Sequence, residues 1–238
     1  MKKRLFISLG IFLVSLVLLI VFGILVSNSG GKPFAGDIWA RDLAYSVRGE
    51  KGGLNYWFWR LITEFGDIIF LVILTGALFI YTRMDYRFLI FVAGVLLEVL
   101  LNYVFKGIFQ RPRPLEEYWW VKESSTSFPS GHSTATGFVY PFLIFFVLTT
   151  EKNKKIKIPV LVASSIFVLL IPISRIVLGV HYLSDCIGGL ALGGCVSSVA
   201  MAMLVLFKEY NILSEGVFPF FKKKNKLEEK EENTEEVE

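Results

Sequence analysis

The sequence predicts an all-α, polytopic membrane bundle of about six transmembrane helices with an extracytoplasmic interfacial helix. Three observations carry that expectation. The chain of 238 residues is 54% hydrophobic and 15% aromatic, with a mean hydropathy of +0.58, which places it among membrane proteins. Six apolar runs each approach the roughly 20 residues needed to cross a bilayer. The basic residues gather at alternate ends of those runs, as topology requires.

Taken in order, the first span is Leu5–Val26, an uncharged run behind Lys2, Lys3 and Arg4. It exceeds the 7–15 residues, roughly, of a signal-peptide core and so reads as a retained helix. Further spans are expected at Leu61–Tyr81, Phe88–Phe105, Thr134–Thr150, Ile158–Ser174 and Cys186–Phe207. Between the first two, Trp39, Leu43 and Val47 recur at helical spacing ahead of Tyr56-Trp57-Phe58-Trp59. That pattern predicts an interfacial amphipathic helix followed by an aromatic belt.

Six spans put Lys2–Arg4, Arg83 with Arg87, Lys152–Lys157, and Lys208 with Lys222–Lys224 on one side. The positive-inside rule makes that side cytoplasmic, with both termini inside. The intervening segments 27–60, 106–133 and 175–185 then face outward from the plasma membrane. Residues 1–221 are expected to form the membrane-embedded domain, and 222–238, rich in Lys and Glu, a disordered cytoplasmic tail.

The formal net charge of +4 belongs to this topology rather than to nucleic-acid binding, because it lies at helix ends and not along one face. Cys186 and Cys195 are nine residues apart, on opposite helix faces and about 13 Å apart along the axis. They have no route to a shared disulfide, and no metal-ligand spacing is present. Oligomeric state is not readable from the chain.

Its only two histidines, His132 and His181, fall within a set of phosphate-type motifs: Lys106 and Arg113-Pro114; Pro129-Ser130-Gly131-His132; Ser174-Arg175, His181 and Asp185. Phosphate ester hydrolysis needs cations on the non-bridging oxygens, an in-line nucleophile and an acid for the leaving oxygen. Lys106, Arg113 and Arg175 supply the charge, the arginines as planar forks. Ser130 and Gly131 precede the fourth span, whose opening N–H groups suit an anion.

His181 and Asp185, spaced by four on a helix, would share one face, with Asp185 fixing the tautomer so that the other ring nitrogen attacks phosphorus. His132 would protonate the leaving group. This arrangement requires neither metal nor cofactor. Two ambiguities accompany it. Arg111-Pro112 duplicates Arg113-Pro114, so Arg111 is either a second phosphate contact or a headgroup anchor, the anchor being the favoured expectation. Glu98, Asn102 and Lys106 form a polar stripe, in which Glu98 is expected to make a structural hydrogen bond.

With these residues in place, the stretch Lys106–Asp185 resembles the complete signature of the type 2 phosphatidic acid phosphatase superfamily. The resemblance implies a six-helix membrane lipid phosphatase working through a phosphohistidine on His181. It assigns phosphate binding to Lys106, Arg113, Ser130, Gly131 and Arg175, acid duty to His132 and orientation of His181 to Asp185. An outward site selects membrane lipid phosphates or pyrophosphates held in the bilayer. Undecaprenyl pyrophosphate, released on the outer face in cell-wall carrier recycling, is the first expectation, and phosphatidylglycerophosphate or phosphatidate the alternative. A non-catalytic lipid-phosphate binder, or a transporter using Glu64, Asp67 and Glu98, is the rival from another class.

Overall fold

The computed structural model describes residues 1–82, 84–150 and 153–210. These form eight α-helices: α1 (Lys2–Asn28), α2 (Ala35–Arg48), α3 (Leu54–Glu64), α4 (Ile68–Thr82), α5 (Tyr86–Phe109), α6 (Gly131–Thr150), α7 (Lys154–Val177) and α8 (Leu183–Glu209), with a single 3-10 turn at Glu116–Tyr118. The all-α expectation holds. Arg83, Lys152, Lys222–Lys224 and the charged tail lie outside the described residues.

Local chemistry sets the helix ends. Asp85 accepts the Arg87 N–H at 2.8 Å and Asn153 accepts that of Lys155 at 3.0 Å, starting α5 and α7 as short polar caps do. Gln110 closes α5 in the left-handed conformation (φ 43°), and Pro112 and Pro114 prevent the helix from resuming.

Five helices, α1, α5, α6, α7 and α8, are long and apolar enough to cross a membrane. The second span departs from the continuous helix expected over 61–81. It is the pair α3 and α4, bent by 46°, and the break falls at Phe65-Gly66-Asp67. Asp67 turns its carboxylate to the Ile69 N–H, 3.2 Å away, so the interruption is used as a helix start. The Phe65 carbonyl released there accepts the Tyr140 hydroxyl at 2.8 Å, which keeps the break satisfied inside the bundle.

Small residues decide which helices sit at the centre. A Cβ on Gly193 would lie 2.1 Å from the Thr134 carbonyl oxygen, and one on Gly137 2.4 Å from that of Leu190. The backbones of α6 and α8 therefore touch, as small residues permit in membrane helix pairs. Below this seam Phe91, Phe138 and Phe142, all fully buried, pack at centroid separations of 5.4–5.8 Å. Around the centre, α1, α4 and α7 turn Phe6, Val14, Val72, Ile80, Val162 and Leu169 outward. Such apolar outer faces suit lipid.

On α2, Trp39, Leu43 and Val47 are exposed while Asp37, Ala40 and Ala44 are buried, the two-sided helix that their spacing predicted. Met1, Arg4, Arg87 and Lys208 border one cavity. The motif residues gather around the opposite ends of α5, α6 and α8.

Candidate active site

The charged motif residues and both histidines gather in one place. The loop after α5 carries Arg113, the start of α6 carries His132, the end of α7 carries Arg175, and the turn between α7 and α8 carries His181. Gly179 makes that turn possible: its φ is +80° and a Cβ there would be 2.2 Å from the Tyr118 carbonyl oxygen, so both backbone and space call for glycine. The two helix starts are fastened directly, because the Ser130 N–H donates to the Asp185 carbonyl at 3.1 Å.

His181 is 3% exposed. Its Nε2 faces Arg113 Nη1 at 3.0 Å, and its Nδ1 lies 3.5 Å from Asp185 Oδ2 and 3.4 Å from Ser127 Oγ. An arginine only donates, so this contact calls for the lone pair on Nε2 and the proton on Nδ1. Burial, then the charges of Arg113, Arg175 and Lys106, hold the imidazole pKa well below its ordinary value; burial likewise lowers that of Arg113.

The expectation that His181 and Asp185 share a helix face is corrected. His181 precedes α8, Tyr182 is its N-cap and Asp185 is the third helical residue, accepting the Tyr182 N–H at 2.8 Å. The carboxylate reaches back from the helix to the ring, so the proximity survives with a different cause.

Arg111 is corrected more strongly. It is no headgroup anchor: the side chain is fully buried, pairing with Asp37 Oδ2 at 2.8 Å and Asp185 Oδ1 at 2.6 Å. It also donates to Ser184 Oγ and the Gly31 carbonyl. Burial opposes its charge, but Asp185 and Asp37 outweigh that and raise the guanidinium pKa. Asp37 in turn receives the Ser184 N–H and hydroxyl, each at 2.8 Å, so α2 is locked to the start of α8.

The remaining cations are joined by a residue the motifs did not include. Glu123 pairs with Arg113 Nη2 at 3.3 Å and with Arg175 Nη2, bridging the two arginines. Arg175 Nη1 donates to Thr63 Oγ1 at 2.9 Å and lies 3.5 Å from His132 Nε2, while its Nε is buried with no partner among the described residues. The two rings are thus linked through Arg175, Glu123 and Arg113. Lys106 Nζ donates to the Thr126 carbonyl.

His132 Nε2 also lies 3.5 Å from Asp67 Oδ2, so the break in the second span brings a carboxylate to the expected acid. Ser130 is fully buried, its hydroxyl receiving the Ser133 N–H and hydroxyl at 3.4 and 3.1 Å. It acts as a cap rather than facing outward. A Cβ on Gly131 would meet only Asn102 Oδ1, at 3.6 Å, which leaves the first turn of α6 approachable.

Two cavities flank the cluster. One of about 480 Å³ lies along the loop between α5 and α6, beside Arg113, Glu123 and Trp119. The other, about 320 Å³, runs between α4, α5 and α6 and is lined by Asp67, Glu98, Asn102, Lys106, Gly131 and His132. Trp120 is buried against Tyr56 at a centroid distance of 5.6 Å, and Tyr118 lies tilted against Tyr45 at 5.2 Å. The 118–120 segment is therefore packed against α2 and α3. Of the residues absent from the sequence reading of the site, Asp67 announced itself only as a charge in an apolar run. Asp37, Thr63, Glu123 and Ser127 gave no signal, because their roles depend on contacts across the fold.

A helical membrane bundle that brings two histidines, three cations and a histidine-directed carboxylate together at one end defines the class of integral membrane phosphatases. The chain belongs to the PAP2 superfamily, whose pattern matches residues 87–208. It is 37% identical over 141 residues to phosphatidylglycerophosphatase B of Bacillus subtilis, a match covering 56% of this chain and 66% of that protein. It is 27% identical over 164 residues to lipid A 1-phosphatase of Rhizobium etli, covering 58% and 66%. The matches thus span just under two thirds of each curated relative. Among solved structures, the transmembrane PAP2 type phosphatidylglycerolphosphate phosphatase of Bacillus subtilis superposes with a TM-score of 0.62 at 28% identity, over 86% of this chain and 96% of that one. Aquifex aeolicus LpxE gives 0.56 at 25% identity, over 71% and 96%. These likenesses support a phosphatase.

Proposed function

We propose that the protein hydrolyses the phosphate ester of a membrane lipid through a phosphohistidine on His181. The observation that carries this is the position of His181 Nε2. It is buried, faces the Arg113 fork at 3.0 Å and is backed on Nδ1 by Asp185. Arg175 Nε, buried without an acceptor among the described residues, is a donor that a phosphate oxygen would satisfy.

Substrate phosphate takes over the Arg113 and Arg175 donors from Glu123, with Lys106 and the opening N–H groups of α6 on its remaining oxygens. Nε2 attacks phosphorus in line, the P–O ester bond breaks, and His132 gives its proton to the departing oxygen while Asp67 steadies the imidazolium. Water then attacks the phosphohistidine. His132 takes the proton, the P–N bond breaks, and phosphate leaves. The route uses no metal.

The basic end of the bundle, with Arg4, Arg87 and Lys208, fits the cytoplasmic side. The site then lies on the outer face of the plasma membrane, with both termini inside. A lipid phosphate resting at headgroup level reaches it without leaving the bilayer. The sequence alone ranked undecaprenyl pyrophosphate first. The relatives named for phosphatidylglycerophosphate support that lipid ahead of it, with undecaprenyl pyrophosphate second. Transport is disfavoured: Glu64 sits in a half-exposed pair with Arg60 at 2.7 Å rather than on a path with Glu98.

The test is phosphate release by purified protein from each lipid in mixed micelles. Turnover is expected with chelator present, and His181→Ala should abolish it. A variant within a few-fold of the parent would overturn the nucleophile assignment.

A further inference from the structure

Glu98 is buried to 3% exposure within α5, yet it makes no hydrogen bond or ion pair with any described residue. Its neighbours on the polar stripe are committed elsewhere. Asn102 donates to Thr134 Oγ1 at 2.9 Å and to the Pro129 carbonyl, and Lys106 donates to the Thr126 carbonyl. The structural hydrogen bond expected from the sequence is therefore absent among the described residues. Instead Glu98 lines the cavity of about 320 Å³ that reaches His132 and Lys106. An ionisable side chain in a span without a protein partner points to a ligand.

We propose that Glu98 is a specificity-determining residue that accepts a hydrogen bond from a hydroxyl on the carbon next to the phosphoester carbon of the lipid. The inference rests on the phosphatase reading above. Its geometry comes from the helix levels. Gly131 abuts Asn102, with 3.6 Å from its ideal Cβ to Oδ1, so His132 and the leaving oxygen it protonates lie at about the height of Asn102. Glu98 is one turn deeper, about 6 Å along the axis. An O–C–C–O segment spans about 3 Å, and a hydrogen bond adds about 2.7 Å. A hydroxyl on the second carbon from the ester oxygen therefore falls within reach of the carboxyl group.

A carboxyl oxygen accepts from a hydroxyl whether or not the group is ionised. An ester or a bare hydrocarbon at the same place offers it no donor and leaves it desolvated. Phosphatidylglycerophosphate carries such a hydroxyl; in diacyl phosphatidate it is esterified, and a polyprenyl pyrophosphate has none. A site built to bond a substrate hydroxyl rejects the analogue that lacks it far more sharply than an apolar pocket does.

The decisive experiment compares kcat/KM on 1-oleoyl lysophosphatidate and on its 2-deoxy analogue, which differ only in that hydroxyl. The parent should prefer the hydroxylated lipid by roughly tenfold or more. Glu98→Leu should bring the ratio close to one, in part by raising turnover of the deoxy lipid that no longer meets an unpaired carboxyl, and Glu98→Gln, which still accepts a hydrogen bond, should keep most of the preference. Should Glu98→Leu fail to fold, Glu98→Asp, with its carboxyl drawn back by one methylene, takes its place with the same expected collapse. A parent ratio near one, or a preference that survives removal of the carboxyl, overturns the inference. Turnover of both lipids with a flat ratio sinks only the role of Glu98, whereas no turnover of any lipid phosphate sinks the phosphatase reading and this one with it.

Discussion

Replacing Arg111 by Met tests the buried network that the sequence did not disclose. The guanidinium holds Asp37 at 2.8 Å and Asp185 at 2.6 Å, and all three side chains are at most 1% exposed. Methionine keeps the length but strands two carboxylates, and breaking a buried pair by removing one partner costs about 3–5 kcal/mol. For a chain of this size each kcal/mol lowers Tm by about 2–4 °C, so a fall of roughly 6–20 °C is expected. A surface anchor would instead change stability by no more than about 0.5 kcal/mol. Thermal unfolding of the detergent-solubilised protein, followed by tryptophan fluorescence, separates the two. The double variant Asp37→Leu with Arg111→Met should recover part of the loss, because only Asp185 then lacks a counter-charge. A single variant melting within about 2 °C of the parent would refute the reasoning.

Because burial and Arg113 depress the His181 pKa, the neutral nucleophile persists as pH falls, and the acidic limb of kcat/KM should lie below the ordinary imidazole value of about 6.5. Arg113→Gln should move that limb upward, and a limb that stays in place would exclude Arg113 as its cause. Glu123→Gln removes the carboxylate that competes with phosphate for both arginines; inhibition by inorganic phosphate should tighten roughly tenfold, on the scale of one charge-assisted hydrogen bond, and weaker inhibition would contradict the competition. Gly193→Ala places a methyl 2.1 Å from the Thr134 carbonyl oxygen and should destabilise by about 1–3 kcal/mol. Gly76→Ala, with open space around it, is the control; equal melting of the two would argue against the α6–α8 seam.

The helices were readable because twenty-residue apolar runs and their flanking lysines follow from bilayer thickness and charge. The site positions were readable because Lys106, Arg113, His132, Arg175, His181 and Asp185 carry their chemistry at recognisable spacing. What stayed hidden depends on distance in sequence. Arg111 beside Pro112 looks like a copy of Arg113 until Asp37, 74 residues away, is brought against it. Glu123 sits in a polar loop with no periodicity, so nothing local marks it as the bridge between two arginines. Spacing four between His181 and Asp185 suggested a helix, whereas the turn at Gly179 and the Tyr182 cap deliver the same closeness with less than a full helical turn. Glu64 and Asp67 stood out only as charges in an apolar run, with nothing local to show that a break there would meet His132.

The bond from the Ser130 N–H to the Asp185 carbonyl, set above a glycine seam, turns two separate spans into a single mechanical part. Thickness, stiffness and composition of the surrounding membrane act first on α1 and α4, which bear none of the reacting or phosphate-holding groups. Swapping their oily exteriors to match another bilayer is therefore an engineering route that leaves the reaction centre's alignment alone.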